Sequence, residues 1–231
     1  MIDQLDLLPG TAVVPPRKPS EPIVRSAVLE TVGPYGYRWV MHRAWGNGPT
    51  ILWALLNPSD ADGKRDDPTT HRMMQFSFRW GFGSMIVCNL YPVVSSKPAD
   101  MRAWRKTWDW KAYEHSGMRP WDLDKTTWSA FHHNMGLISK VLTPEMTCVA
   151  AWGNGAPESD VEQFMRGVRL DPDDAPIGML GEEMDWHCLG KTADGSPIHP
   201  LARGKHRVPD DATLKMWKRK PRRSPERSSC L

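Results

Sequence analysis

The sequence predicts an α/β domain: a three-layer α/β/α sandwich built on a short, mainly parallel sheet, with an N-terminal β-hairpin. Three observations carry this. Stretches of strand character alternate with stretches of helical character, as they do when crossover helices join parallel strands. Two of the strand stretches, "TILWALL" and "SMIVCNLYP", are apolar almost throughout rather than alternating, which suits strands covered on both faces. And "RSAVLETVGPYGYRWVMHRAW" alternates around a Gly-Pro-Tyr-Gly turn, the pattern of a hairpin with strands near 24–32 and 36–45.

The elements follow in order. Residues 1–22 contain "PGTAVVPPRKPSEP", a Pro-rich stretch with little to bury, and read as a flexible leader. After "TILWALL" comes "DDPTTHRMMQFSFRWGFG". Asp67 suits the N-cap of a helix, Pro68 its first position, and a Gly closes it. "SMIVCNLYP" is the next buried strand, followed by a loop and a helix from about 98 to 105. Residues 105–124, with Trp108, Trp110 and Trp121, have no clean period and read as an insertion or lid. "TTWSAFHHNMGLISKVL" is an amphipathic helix. "MTCVAAWGNGA" is a third strand ending in a Gly-Asn-Gly turn, a helix covers about 157–168, and "DWHCLG" is a short fourth strand. The single α/β domain spans 23–204 in this reading, and 205–231 forms a basic, disordered tail.

Composition narrows the classes. Hydrophobic residues make up 40% of the chain, enough for a core. Cys88, Cys148, Cys188 and Cys230 are too dispersed for a CxxC metal or redox motif. Cys88 and Cys148 lie in apolar runs and read as buried small hydrophobes in a reduced, cytoplasmic protein. No apolar run approaches the ~20 residues of a membrane span, and "MIDQLDLLPG" lacks the basic start of a signal peptide. Net charge is +3, yet Arg203–Arg227 alone carries ten Lys/Arg against three acids. That cluster could neutralise phosphates or serve as a solvated tail. There is no Walker loop, GxGxxG or G-x-S-x-G motif. We expect no metal, no cofactor and a monomer.

Three turns lie at strand ends, "LLNPSDAD", "CNLYP" and "AWGNG", and a separate loop, "GSPIHPLAR", brings a histidine. Ligands of parallel sheets bind beyond the carboxyl ends of the strands. Asn57 and Asn89 end two strands, and each amide offers both a donor and an acceptor, as reading the edge of a base requires. His199 can donate to a developing anion or move a proton; His71, His132, His133 and His187 are its rivals. Asp60, Asp62, Asp66 and Asp67 crowd the first turn. Asp67 is assigned to capping, and Asp60 and Asp62 stay open for a catalytic role. Pro58, Ser59, Gly153, Asn154 and Pro200 share these turns, and Tyr91 or Trp80 could wall a pocket. Arg203, Lys205, Arg207, Lys218 and Arg219 are the phosphate-contact candidates.

The ordered motifs "ALLNPSDADGKRDDPTTHRMMQFSFRWGFGSMIVCNLYP", "VAAWGN" and "GKTADGSPIHPL" are similar to those of the bacterial and phage family catalogued as domain of unknown function 1643, over about Tyr37 to Leu201. The order of elements also resembles, more remotely, the uracil-DNA glycosylase superfamily. On that resemblance Asn57-Pro58-Ser59 matches the Asn-Pro-Gly turn that positions water. Asn89 matches the base-reading Asn, and His199-Pro200 the His-Pro whose imidazole supports the departing base anion. Ser59 stands where Gly is common, and Leu201 where Ser is. The resemblance implies a hydrolase of an N-glycosidic bond on a flipped, possibly modified base in DNA. The alternatives are a transferase that hypermodifies phage DNA bases, or a nucleic-acid- or nucleotide-binding protein of the same fold without chemistry.

Overall fold

The hairpin forms β1 (Val24–Val32) and β2 (Tyr35–Ala44) in the computed structural model, which describes residues 22–59, 61–107, 127–143, 145–166 and 184–218. Then come β3 (Thr50–Leu55), α1 (Pro68–Arg79), β4 (Ser84–Asn89), α2 (Pro98–Lys106), α3 (Thr127–Val141), β5 (Thr147–Ala150), α4 (Glu158–Arg166), β6 (Trp186–Cys188) and β7 (Lys215–Lys218). The chain is a mixed α/β fold. Its seven strands form one sheet in the order β1-β2-β4-β3-β5-β6-β7.

The parallel part of the sheet is confined to its centre. β4, β3, β5 and β6 run parallel, while β1 and β2 on one flank and β7 on the other are antiparallel. The sheet is therefore mixed rather than mainly parallel. Nor does the fold end at 204. A short 3₁₀ turn, Gly204–His206, leads to β7, which pairs with β6, so that "KMWK" is an edge strand and not tail. Edge strands tolerate this much charge, because one side of the strand faces solvent. The leader up to 21, the Trp-rich segment from 108 to 126 and the tail from 219 lie outside the described residues.

Side chains of the central strands alternate between two hydrophobic clusters. Leu52, Ala54, Cys88, Cys148 and Ala150 join one, with Trp104 of α2, Phe131 and Met135 of α3 and Phe164 of α4. Ile51, Trp53, Leu55, Val87 and Val149 join the other, with Met73, Met74 and Phe76 of α1. Double coverage is why "TILWALL" reads as one apolar run. Cys88, Cys148 and Cys188 are buried free thiols, and burial pushes the Cys148 thiol up to about 12. Most of the described tryptophans are core: Trp39, Trp45, Trp53, Trp104, Trp152 and Trp186 are all at most 3% exposed.

Within the hairpin, alternation breaks in β2. Val28 faces Val40 and the next β1 residue, Leu29, faces Arg38, so Trp39 is an extra residue in the ladder. Such a bulge re-aims the side chains beyond it. Met41, before the bulge in this direction, belongs to the α1 side, whereas Trp39 and Tyr37 belong to the opposite cluster.

The loop from β3 to α1 is stapled to the hairpin by ions. Arg43, fully buried, donates through Nε to Asp66 Oδ1 at 2.6 Å, and Arg25 Nε donates to Asp66 Oδ2 at 2.9 Å. The remaining Arg43 nitrogens donate to the carbonyls of Ser26, His42, Asp62 and Arg65.

Candidate functional site

Parallel strands leave their carboxyl ends open where successive crossovers depart to opposite sides of the starting strand. Here the connection from β3 leads to β4 on one side, and β5 lies on the other. A cleft of about 340 Å³ lies at this end of the sheet, at the carboxyl ends of β3 and β4 and the N-terminus of α1. Asn57, Ser59, Asn89 and His199 all line it, brought together from three separated stretches of chain.

Each of them is held. Asn89 is 1% exposed. Its main chain ends β4 opposite Leu55, and Asn134 of α3 donates to its carbonyl at 2.7 Å. Its side-chain Oδ1 accepts from Arg38 Nη2 at 3.2 Å, while Nδ2 is buried without a partner. Arg38, 4% exposed, also donates from Nη1 to the Ala61 carbonyl at 2.7 Å, and its Nε too has no partner. Burial lowers the Arg38 guanidinium to about 10, with Asp67 pulling the other way, so it remains a cation at neutral pH.

Asn57 spends its donors on the protein. Nδ2 donates to the Ser95 carbonyl at 2.8 Å and to the Pro58 carbonyl at 3.1 Å, and Ser95 N–H returns a bond to Pro58. This ties the first turn to the loop after β4 and leaves Asn57 Oδ1 as the group available to a ligand or water.

Ser59 Oγ donates to Asp67 Oδ2, and Asp67 Oδ1 caps α1 by accepting from Thr70 N–H at 2.7 Å. Asp67 is the N-cap that the sequence predicts, and it also lines the cleft. Burial works against its charge, but the bonds from Ser59 and Thr70 outweigh it and hold the carboxyl below its ordinary range.

The chain just before His199 is held by main-chain bonds. Gly153 N–H donates to Pro197 O, and Ile198 N–H to Gly190 O, each at 2.9 Å. The imidazole Nδ1 accepts from Leu201 N–H at 3.1 Å. A ring nitrogen that accepts is unprotonated, so in the neutral ring the proton is on Nε2, which is left to donate. Burial lowers the His199 pKa, with the Asp67 charge opposing. A histidine depressed in the fold contributes stability above its unfolded value of about 6.5, lost as pH falls through the lower folded value. Imidazole NMR resonances of His199 are therefore expected to titrate with a midpoint below 6.5. A midpoint above it would mean that Asp67 dominates.

The other sequence candidates are dispersed. Asp62 is turned onto its own loop, accepting from Lys64 and Arg65 N–H at 2.7 Å each, and is not part of the cleft lining. Those bonds pull its carboxyl down to about 2. Asp60 and Arg219 lie outside the described residues. Tyr91 is buried in the cluster with α2 to α4, its hydroxyl donating to Asp160 at 2.6 Å. Trp80 stacks on Trp53 and Phe76 at the end of α1. Neither lines the cleft, whose apolar walls are Leu55, Met73 and Val87. Pro58 and Pro200 are buried, and Asn154 is exposed. Gly153 (φ 72) makes the turn behind His199; a side chain there would be strained and would meet His199 Cβ. Arg203, Lys205, Arg207 and Lys218 are exposed, the first three just after the His199 loop. The residues that sequence reasoning misses are Arg38, Ser95, Ser96, Thr69 and Thr70, together with the second role of Asp67. The last could have been inferred, because the helix it caps starts at the carboxyl end of a parallel strand. Among the described residues no group of three His, Cys, Asp or Glu side chains could hold a metal.

The family model described as "Protein of unknown function (DUF1643)" matches residues 38–201. The chain belongs to the DUF1643 family. Its matched span runs from Arg38, at the bulge of β2, to Leu201, whose N–H holds His199, and so includes every described residue lining the cleft. No match was found among curated proteins or solved structures. No helix among the described residues is long and apolar enough to cross a membrane.

Proposed function

We propose that this DUF1643 chain acts on a nucleic-acid base, hydrolysing an N-glycosidic bond in DNA with the target nucleotide flipped into the cleft. The observation that carries the reading is the meeting of Asn57, Asn89 and His199 in one cleft, where the Asn89 NH₂ is buried with nothing to bond. A buried donor left open in a preformed cavity asks for a ligand acceptor. The volume is at the small end of the ~300–1,000 Å³ of small-molecule sites, suited to one flat ring between Leu55, Met73 and Val87.

In this reading Asn89 holds the base edge, and the Nε2–H of His199 stabilises the negative charge leaving on the base. Asn57 Oδ1 orients water. Among the described residues the carboxylate lining the cleft is that of Asp67, and in this reading it takes the water's proton. The exposed Arg203, Lys205, Arg207 and Lys218 contact phosphates. With α1 packed on one face of the sheet and α2 to α4 on the other, the arrangement fits a three-layer α/β/α sandwich of the uracil-DNA glycosylase kind. One observation favours transfer instead: Ser59 Oγ donates to Asp67, as an activated hydroxyl nucleophile does.

The test is incubation of the full chain with duplexes carrying uracil, hydroxymethyluracil and other modified bases. Abasic sites are the expected product. A mass gain on the base, given a small-molecule donor, supports transfer, and the absence of either product on every duplex would overturn both.

A further inference from the structure

We propose that Arg38 is the positioning residue that sets the specificity of the cleft: it fixes the Asn89 amide with its NH₂ toward the ligand, so the site takes rings presenting an oxygen acceptor there. This rests on the base-binding reading of the same cleft.

An asparagine amide can be turned about its last bond, exchanging donor for acceptor, and in an open site it reads either an oxygen or an amine. Here that freedom is absent. Arg38 has only donors, and its Nη2 lies 3.2 Å from Asn89 Oδ1. Turning the amide would set NH₂ against guanidinium, donor against donor, with both side chains almost completely buried. Arg38 cannot retreat either. Its Nη1 is bonded to the Ala61 carbonyl at 2.7 Å, so one planar guanidinium spans the loop after β3 and the end of β4. The cause is local: the extra residue Trp39 turns Arg38 off the side that strict alternation with Met41 would give it, and into the cleft. Arg38 and Asn89 both line the cleft, and Asn89 Nδ2 and Arg38 Nε are buried donors without a partner. A carbonyl oxygen satisfies them, whereas an exocyclic amine faces donor against donor.

The experiment is an NMR titration of the full chain with free uracil and free cytosine. Wild-type protein is expected to bind uracil at least ~10-fold more tightly than cytosine, and the assigned Asn89 NH₂ resonances should shift as uracil binds. Arg38→Gln presents an amide that satisfies Asn89 in either orientation, so the preference should collapse toward one. Arg38→Lys keeps a pure donor and should retain the larger part of it. Equal weakening of both rings in Arg38→Gln means that Arg38 only supports the fold, which overturns the inference and leaves the base-binding reading standing. A wild type without preference, or an Asn89 NH₂ pair unmoved while uracil binds, does the same and needs no variant to fold. A wild type that binds neither ring removes the base-binding reading and this inference together.

Discussion

His199→Ala is expected to lower the single-turnover rate of abasic-site formation ~10²–10³-fold, the cost of removing one pre-organised donor to a developing anion. The loss should fall on the rate rather than on substrate affinity, because the donor matters only as charge leaves on the base. The fold should survive. Among the described residues the imidazole bonds to Leu201 N–H, and its loop is anchored by the main chains of Gly153 and Gly190. A thermal midpoint within ~3 °C of wild type is the matching control. An unchanged rate on a duplex that the wild type cleaves would remove His199 from the chemistry.

The same replacement separates His199 from Asn57, and the structure says why the two must not be treated alike. Asn57 donates to the Ser95 carbonyl, so truncating it also frees the loop that carries Ser95 and Ser96 to the cleft. A loss of activity in an Asn57 variant mixes chemistry with position. His199 lacks that ambiguity.

What could be read from the sequence was what depends on local signals. The hairpin strands, Asp67 as N-cap and Pro68 at the helix start fall where patterning and capping chemistry put them. The strand-end amides and the loop histidine do reach one cleft, because parallel topology sends every strand end to the same edge of the sheet. What could not be read depends on pairing between distant segments. Arg38 looks like one more polar residue of an alternating strand, and only the register of β2 against β1 shows the bulge that buries it. β7 is four residues inside the most basic part of the chain, so composition hides it, and its pairing with β6 reveals it. Tyr91 and Trp80 show a different limit. An aromatic side chain suits a core as well as a base-stacking wall, and here the core took both.

The crowd of aspartates after β3 illustrates both sides. Asp62 closes a turn, Asp66 neutralises two arginines and Asp67 caps a helix while facing the cleft. Four acids in eight residues suggest a single site by composition. Their bonds show separate tasks, with one carboxylate among the described residues left in the place where chemistry would occur.

Asp66 carries the largest expected effect on stability. Its side chain is 3% exposed and that of Arg43 is 0%, at 2.6 Å. Removing one member of such a pair leaves the other as an uncompensated buried charge, which typically costs ~3–5 kcal/mol. Asp66→Ala should therefore lower the melting midpoint by roughly 10 °C for a domain of this size. Restoring apolar complementarity with Arg43→Met in the same chain should recover part of that loss, since a buried pair is often no better than well-packed hydrophobes. Acid gives an independent reading. Burial opposes the charge on Asp66, but the bonds from Arg43 and Arg25 outweigh it and hold its pKa below the ordinary value. A depressed carboxylate contributes stability above its unfolded value of about 3.9, and that contribution disappears as pH falls through the folded value. The gap between wild type and Asp66→Ala, wide at pH 7, should then narrow as the pH falls below about 4. A gap that stays constant across that range would mean that the alanine acts through lost packing and not through the charge. Because Asp66 immediately precedes Asp67, the same variant should also loosen the cap of α1 and the carboxylate facing the cleft. Activity lost in Asp66→Ala and regained in the Arg43→Met double variant would trace the precision of the site back to the ion pair behind it.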